Sequence, residues 1–156
     1  MLETALAWIA ASPVAAALKS SRYAYPVVNA VHIMGLAALF GSIVTLDLRL
    51  LGAFRTVPAL ATALPRVAAV GLVVAILSGA ALFSVEPADY AANRAFLIKL
   101  GLVLIGAAHA IAVHFTGGWR DLVHGRGGID AGLRLSAAIS LAIWTSAILA
   151  GRFIAF

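Results

Sequence analysis

Long apolar stretches dominate the chain, with short polar segments between them. Four of these stretches, at residues 26–51, 67–85, 95–115 and 133–156, carry few charges and are each long enough to cross a bilayer. A helix of about 20 residues spans a hydrocarbon core of about 30 Å, in which every backbone amide group must find its hydrogen bond within the helix. The pattern therefore predicts four transmembrane helices.

Proline, glycine and charged residues punctuate these stretches. A connection is predicted at residues 55–66, and Glu86 followed by Pro87 is predicted to end the second helix. The connection at residues 117–130 is rich in glycine. Glycine gives the backbone unusual freedom, so this connection is predicted to be the most flexible part of the chain.

The first residues carry a weaker pattern. Residues 2–20 include Trp8, a break at Pro13 and Lys19, and their apolar run is short, which favours a helix lying at the membrane interface over a fifth crossing. The predicted fold class is therefore all-α. It is an integral membrane four-helix transmembrane bundle with an interfacial N-terminal helix, and residues 1–156 form one domain.

Composition supports a lipid environment. Hydrophobic residues make up 63% of the chain and charged residues 11%, whereas a water-soluble surface needs more charge. The net charge of +5 is distributed between the apolar stretches, which indicates contact with lipid headgroups rather than with nucleic acid. The chain has no cysteine, and this excludes disulfide bonds and thiolate metal sites.

Four crossings place both termini on one side, the terminal side, and the first and third connections on the other, the loop side. Five Lys and Arg residues lie toward the terminal side and six toward the loop side, so the small excess predicts both termini outside. The first group is Lys19, Arg22, Arg94, Lys99 and Arg152, and the second is Arg49, Arg55, Arg66, Arg120, Arg126 and Arg134.

Small residues form a face on the fourth predicted helix. At about 100° per residue, Ser136, Ser140, Ala147 and Gly151 fall within a narrow arc. Helices in lipid associate through close packing of small residues, so this face is predicted to contact another helix.

Histidines within the apolar stretches are the main candidates for chemistry. An ionisable group at the membrane centre costs about 2.5 to 3.5 kcal/mol, so each one needs a reason. Because imidazole is a common axial ligand of haem, His32 and His109 are candidate ligands of haem b, with His114 as a further candidate. The alternative is that each histidine is only hydrogen-bonded to a neighbouring Ser, Thr or carbonyl group.

Depth in the membrane restricts the haem hypothesis. The first and third helices run in the same direction, and at about 1.5 Å per residue His32 and His109 differ in depth by roughly 12 Å. His114 lies about 140° around its helix from His109. A haem held by both His32 and His109 would therefore be strained, and it would need another sixth ligand, an open coordination site or a partner subunit.

Two further charged residues are candidates. Asp47 lies at a depth similar to that of His114, which predicts a contact between them, although local capping is an alternative. His32, Asp47 and His114 are the candidate metal ligands for copper or another small cation. Lys99 is a candidate contact for an anionic ligand, such as a haem propionate or a quinone, unless it extends to the headgroups.

Several motifs carry a resemblance. They are Tyr-Pro-Val-Val-Asn-Ala-Val-His-Ile-Met-Gly at 25–35, Asp-Leu-Arg-Leu-Leu-Gly at 47–52, Ser-Gly-Ala-Ala-Leu-Phe at 78–83 and Phe-Leu-Ile-Lys-Leu at 96–100. Their order resembles that in a family of small uncharacterised bacterial four-span inner-membrane proteins, loosely similar to CopD-type copper-resistance membrane proteins.

The resemblance covers nearly the whole chain and implies a four-span fold in a bacterial inner membrane. The positions that match its pattern are His32, Asp47, Arg49, Lys99 and His114. The two methionines of the chain are few for a protein that handles copper.

Three functions are consistent with these observations. The leading hypothesis is a haem b-binding electron-transfer protein or membrane subunit. The alternatives are a transport protein for copper or another small cation, and a structural subunit of a larger membrane complex or homo-oligomer. No nucleophile elbow or phosphate-binding loop is present, so the sequence does not favour a hydrolytic enzyme.

Overall fold

The structure, a computed structural model, describes residues 1–53 and 58–155. Helices account for nearly all of this part of the chain, and it contains no strand. The helices are α1 (Leu2–Ala10), α2 (Pro13–Ser20), α3 (Ala24–Leu50), α4 (Pro58–Phe83), α5 (Pro87–Ala92), α6 (Arg94–His114), α7 (Gly117–Val123) and α8 (Ala131–Arg152), and a 3-10 turn follows at Phe153–Ala155.

Four of these helices are long and apolar enough to cross a membrane. They comprise Ala24–Leu50, Ala61–Phe83, Arg94–His114 and Ala131–Arg152, with mean hydropathies between 1.6 and 2.2. Many of their large apolar side chains point outward, which is favourable in lipid and unfavourable in water. The predicted all-α four-span membrane fold is confirmed.

The second span begins earlier than the sequence predicts. We expected it at residues 67–85, but α4 begins at Pro58 and continues through Pro65. Pro58 stands in the first turn of α4, where proline is tolerated, and Pro65 lies inside the helix, where it lacks the N–H of a backbone hydrogen bond and its ring crowds the preceding turn. Arg55, expected on the loop side, and Phe156, the expected end of the fourth span, lie outside the described residues.

The N-terminal segment forms two short helices instead of one. Ser12 separates them and caps α2, its hydroxyl accepting a hydrogen bond from the Ala15 amide at 3.3 Å. Ala15 and Leu18 are buried, because α2 packs against α3 and α4. Its predicted position at the membrane interface stays a prediction.

The glycine-rich connection includes a helix that the sequence pattern did not predict. It contains α7, which begins after a cap in which the Trp119 amide donates to the Thr116 hydroxyl at 3.3 Å. Trp119 and Leu122 pack into an apolar cluster with Leu50 and Leu133 at the loop side. Apolar anchors hold α7 against the bundle, and the predicted flexibility of the connection stays a prediction.

Helix α5 is anchored at the terminal side by aromatic rings. The ring of Tyr90 lies 6.0 Å from that of Phe83 and 5.4 Å from that of Phe96, measured between centroids. Burial raises the pKa of Tyr90 above its ordinary value, and a hydrogen bond with Tyr25 and the charge of Glu86 act in the same direction.

The four spans pack in a row rather than a closed square. Helix α3 packs most extensively against α4 and also contacts α8, and α8 packs against α6. Helices α4 and α6 have no extended contact in the described part of the chain. The bundle is therefore open along the edge between α4 and α6.

Glycine permits the closest contact in the row, between α3 and α4. A Cβ atom on Gly35 would lie 2.9 Å from the backbone nitrogen of Ala75, and one on Gly71 would lie 2.5 Å from that of Leu39. Both distances are shorter than a van der Waals contact, so a side chain at either position would force the helices apart. Backbone approach of this kind stabilises helix pairs in lipid.

We expect Gly35→Ala to destabilise the protein by about 1–3 kcal/mol, because the added methyl group meets backbone atoms that cannot move alone. The matched control is Gly41→Ala, also on α3, where an added Cβ atom has no neighbour within 4 Å. Thermal unfolding in detergent, followed by circular dichroism, measures the difference. Equal stabilities of the two variants would contradict this account of the contact.

Candidate functional site

A cavity of about 440 Å³ lies between α3, α4, α6 and α8, in the half of the bundle near the loop side. Apolar side chains, mainly those of leucine and alanine, form most of its wall. Ile111 and Phe115 line it and are also 60% and 76% exposed on the outer surface of α6. The cavity therefore opens sideways along the edge between α4 and α6, toward the lipid.

Asp47 is the acidic residue on the wall of this cavity among the described residues. Its side chain is only 5% exposed, and its Oδ2 atom has no hydrogen-bond partner in the described part of the chain. The hydroxyl group of Ser140 on α8 lies close enough to the carboxyl group for a hydrogen bond. One of the two carboxyl oxygen atoms is thus left without a hydrogen bond inside an apolar region, which costs free energy of folding.

His109 reaches the same wall from α6. Its Nε2 atom lies 3.1 Å from the Ser136 hydroxyl oxygen, one helical turn before Ser140 on α8. Buried Ser42 on α3 adds a third hydroxyl group. We refer to Ser42, Asp47, His109, Ser136 and Ser140 as the polar wall, since all five line the cavity.

His114 lines the cavity closer to its opening. Its Nδ1 atom donates to the Ala110 carbonyl oxygen at 2.6 Å, and its ring lies 4.9 Å from that of Trp119. Because a carbonyl oxygen can only accept, Nδ1 carries the proton and Nε2 has the free lone pair. The predicted contact with Asp47 does not take the form of an ion pair in the described structure, although both residues line one cavity.

His32 lies outside the cavity, between α3 and α4. Its Nδ1 atom is 3.0 Å from the Ser78 hydroxyl oxygen, which itself donates to the Val74 carbonyl at 2.5 Å. The hydroxyl proton is thus committed, so His32 donates to Ser78. The ring also rests on Gly79, where an added Cβ atom would lie 3.1 Å from it. His32 and His109 therefore each pair with a serine on a different helix, and they do not face one cavity.

Lys99 is also away from the cavity, toward the terminal side. Its alkyl chain passes over Gly151 of α8, where an added Cβ atom would lie 3.4 Å from the lysine Cδ atom. Lys99 and His32 therefore both lie outside the cavity, apart from the polar wall.

Arg49 is buried to an unusual degree for an arginine. It is 2% exposed, and its Nε and Nη1 atoms have no partner in the described part of the chain. Arg49 does not line the cavity, although Asp47 is only two residues away. Residues two apart on a helix face different directions, as the sequence predicts.

The described residues contain no group of three or more His, Asp or Glu side chains that could hold a metal ion. The three candidate metal ligands are divided, because His32 lies between α3 and α4 while Asp47 and His114 line the cavity. A site formed by all three is therefore not assembled in this structure.

The serines are the residues of the candidate site that sequence reasoning did not single out. Ser136 and Ser140 were expected only as small packing residues, and Ser78 only as part of the motif at 78–83. Each now contacts an ionisable side chain on another helix. An intramembrane serine at the depth of a histidine or carboxyl group on a neighbouring helix is the signal that identifies such pairs.

Comparison with known proteins gives no relative from which a function could be transferred. No protein-family model matches the chain, and neither do curated proteins nor solved structures. The candidate site is therefore defined by its own geometry.

The hydrogen bond between His109 and Ser136 can be measured with a double-mutant cycle. We expect His109→Ala and Ser136→Ala to show a coupling free energy of about 0.5–1.5 kcal/mol, as found for hydrogen bonds between membrane helices. The control cycle pairs Ser136→Ala with His114→Ala, and it should show no coupling, since His114 is bonded to its own helix. The same coupling in both cycles would refute the assignment.

Proposed function

We propose that this integral membrane protein binds a lipid-soluble ring compound in the cavity between α4 and α6 and takes part in electron transfer. One observation carries the proposal: the lining of the cavity is apolar except for the polar wall and His114. Small-molecule sites have volumes of about 300–1,000 Å³ and consist of apolar surface with a few placed polar groups. The cavity has both properties.

Haem b is the cofactor that the histidines favour. His114 has its Nε2 lone pair free and its Nδ1–H held by a carbonyl oxygen, which is the arrangement that orients a ligating imidazole. His109 lies on the same cavity and is the second candidate ligand. His32 is not part of this proposal, because it packs between α3 and α4. A bound haem would supply one-electron chemistry.

The proposal is tested by filling the cavity. Ala110 lines the cavity, whereas Ala108, two residues earlier on the same helix, does not, so Ala110→Phe and Ala108→Phe form a matched pair. The wild-type protein and Ala108→Phe should copurify with a ring compound. Ala110→Phe should copurify with at least about tenfold less of it, which corresponds to a loss of about 1.4 kcal/mol or more in binding free energy. A visible absorption spectrum detects haem by its Soret band, and solvent extraction with mass spectrometry detects other compounds.

Two results would contradict the proposal. One is that neither membranes nor purified protein yield a stoichiometric ring compound, whether haem or another. The other is that Ala108→Phe and Ala110→Phe lose such a compound equally, which would place it outside the cavity.

A second candidate function is transport of a small cation. The observation that favours it is the unpartnered Oδ2 atom of Asp47, with three hydroxyl groups on the same wall. Oxygen atoms are the ligands that small hard cations prefer, and intramembrane carboxyl groups mark many ion pathways. In this scheme His32, near the terminal side, is the second station.

Cation uptake into proteoliposomes tests this function. Asp47→Asn keeps the shape of the side chain and removes its negative charge, so uptake should fall to the background of empty vesicles. Asp121→Asn is the control, because Asp121 is exposed on α7 and its ion pair within the described residues is with Arg126, at 3.4 Å. Unchanged uptake by Asp47→Asn would exclude Asp47 as a station.

A further inference from the structure

The polar wall restricts the charge of any ligand. Its described residues are one carboxyl group, one imidazole and three hydroxyl groups, and no Lys or Arg is among the described residues that line the cavity. An anionic group would have to leave water and lie next to Asp47 without a cation from the described wall. Burying an unpaired charge in this way is strongly unfavourable. The wall therefore disfavours an anionic ligand, and a neutral ligand avoids this cost.

The same wall requires hydrogen-bonding groups on the ligand. The buried Oδ2 atom of Asp47 has no partner, and an unsatisfied buried polar atom is costly. The hydroxyl groups of the wall can each donate or accept. A hydroxyl group on a neutral ring can donate to the Asp47 Oδ2 atom, and a ring carbonyl can accept from the protonated carboxyl group or from the hydroxyl groups of the wall. A pure hydrocarbon offers neither and leaves the wall unsatisfied.

The opening determines how the ligand arrives. It lies between α4 and α6, with exposed Ile111 and Phe115 at its edge, so the route leads through the lipid. A compound using this route must partition into the bilayer, and an apolar tail can stay in the opening while the ring lies inside. Trp119 and Trp144 line the cavity and offer aromatic surfaces to a ring.

We infer that the cavity binds a neutral quinone or quinol, with one ring oxygen at Asp47 and His109 and the apolar tail in the opening between α4 and α6. This inference rests on the proposed function and names its ligand class. It places a quinone ahead of haem b, because the two propionates of haem carry the negative charge that the wall of this cavity disfavours.

Tryptophan fluorescence gives a direct readout, since quinones quench it at short range. The chain has three tryptophans, of which Trp8 is 78% exposed on α1 while Trp119 and Trp144 line the cavity. In a Trp8→Phe background, the emission therefore comes from the cavity. The probe is a 1,4-benzoquinone with a decyl chain, titrated into the full chain in lipid nanodiscs.

We expect the quinone to quench the fluorescence saturably. The quinone concentration at half-maximal quenching should rise at least about tenfold in Asp47→Leu and in His109→Leu, which corresponds to a loss of about 1.4 kcal/mol in binding free energy. The controls Asp121→Leu and His124→Leu should leave the midpoint unchanged, because these residues are exposed and outside the cavity. If Asp47→Leu and His109→Leu fail to fold, Ala110→Phe, which leaves the polar wall intact, should abolish saturation, while Ala108→Phe should not. Linear quenching without saturation in the unsubstituted cavity would overturn the inference.

Two further probes separate failure of the inference from failure of the proposed function. Decylbenzene has the same tail and no ring oxygen, so it should not displace the quinone at equal concentration. If decylbenzene displaces the quinone, the quinone inference falls while binding of a ring compound stands. The same conclusion follows if haemin binds with a Soret band and the quinone does not bind. If quinone, decylbenzene and haemin all fail to bind, the proposed function falls as well.

Discussion

Hydrocarbon offers no hydrogen bonds, and the arrangement of this bundle follows from that constraint. Each polar side chain carried into the membrane needs a hydrogen-bond partner within the protein, on its own helix or on a neighbouring one. Ser78 provides one for His32, and Ser136 provides one for His109. Asp47 is satisfied at Ser140 but not at its Oδ2 atom. Among the described residues that line the cavity, Asp47 carries the buried side-chain atom that lacks a partner, whereas the unpartnered nitrogen atoms of Arg49 lie away from the cavity.

The open edge of the bundle has its origin in the glycines. Gly35 and Gly71 bring α3 and α4 into backbone contact, and Gly106 of α6 receives the Trp144 ring of α8, only 2.9 Å from an added Cβ atom. These contacts hold the helices in two tight pairs, joined through α3 and α8. Helices α4 and α6 then lie at the ends of the row, and the space between them is the cavity.

Sequence reasoning captured the number and positions of the spans because the length of an apolar run is a local property. It placed the start of α4 too late, since Pro65 was read as a boundary although the residues before it continue the helix. It missed α7, because the burial of Trp119 depends on distant residues such as Leu133. It selected His109, His114 and Asp47, but their common cavity depends on how four helices pack, which periodicity does not encode.

The sideways opening has a thermodynamic consequence. A cavity that opens to lipid is accessible to acyl chains, so a ligand that enters it competes with those chains rather than with water. Occupancy is then governed by the mole fraction of ligand dissolved in the bilayer. A membrane with more saturated or more tightly packed chains would alter this competition without any change in the protein, so lipid composition itself becomes a variable that sets how full the cavity is.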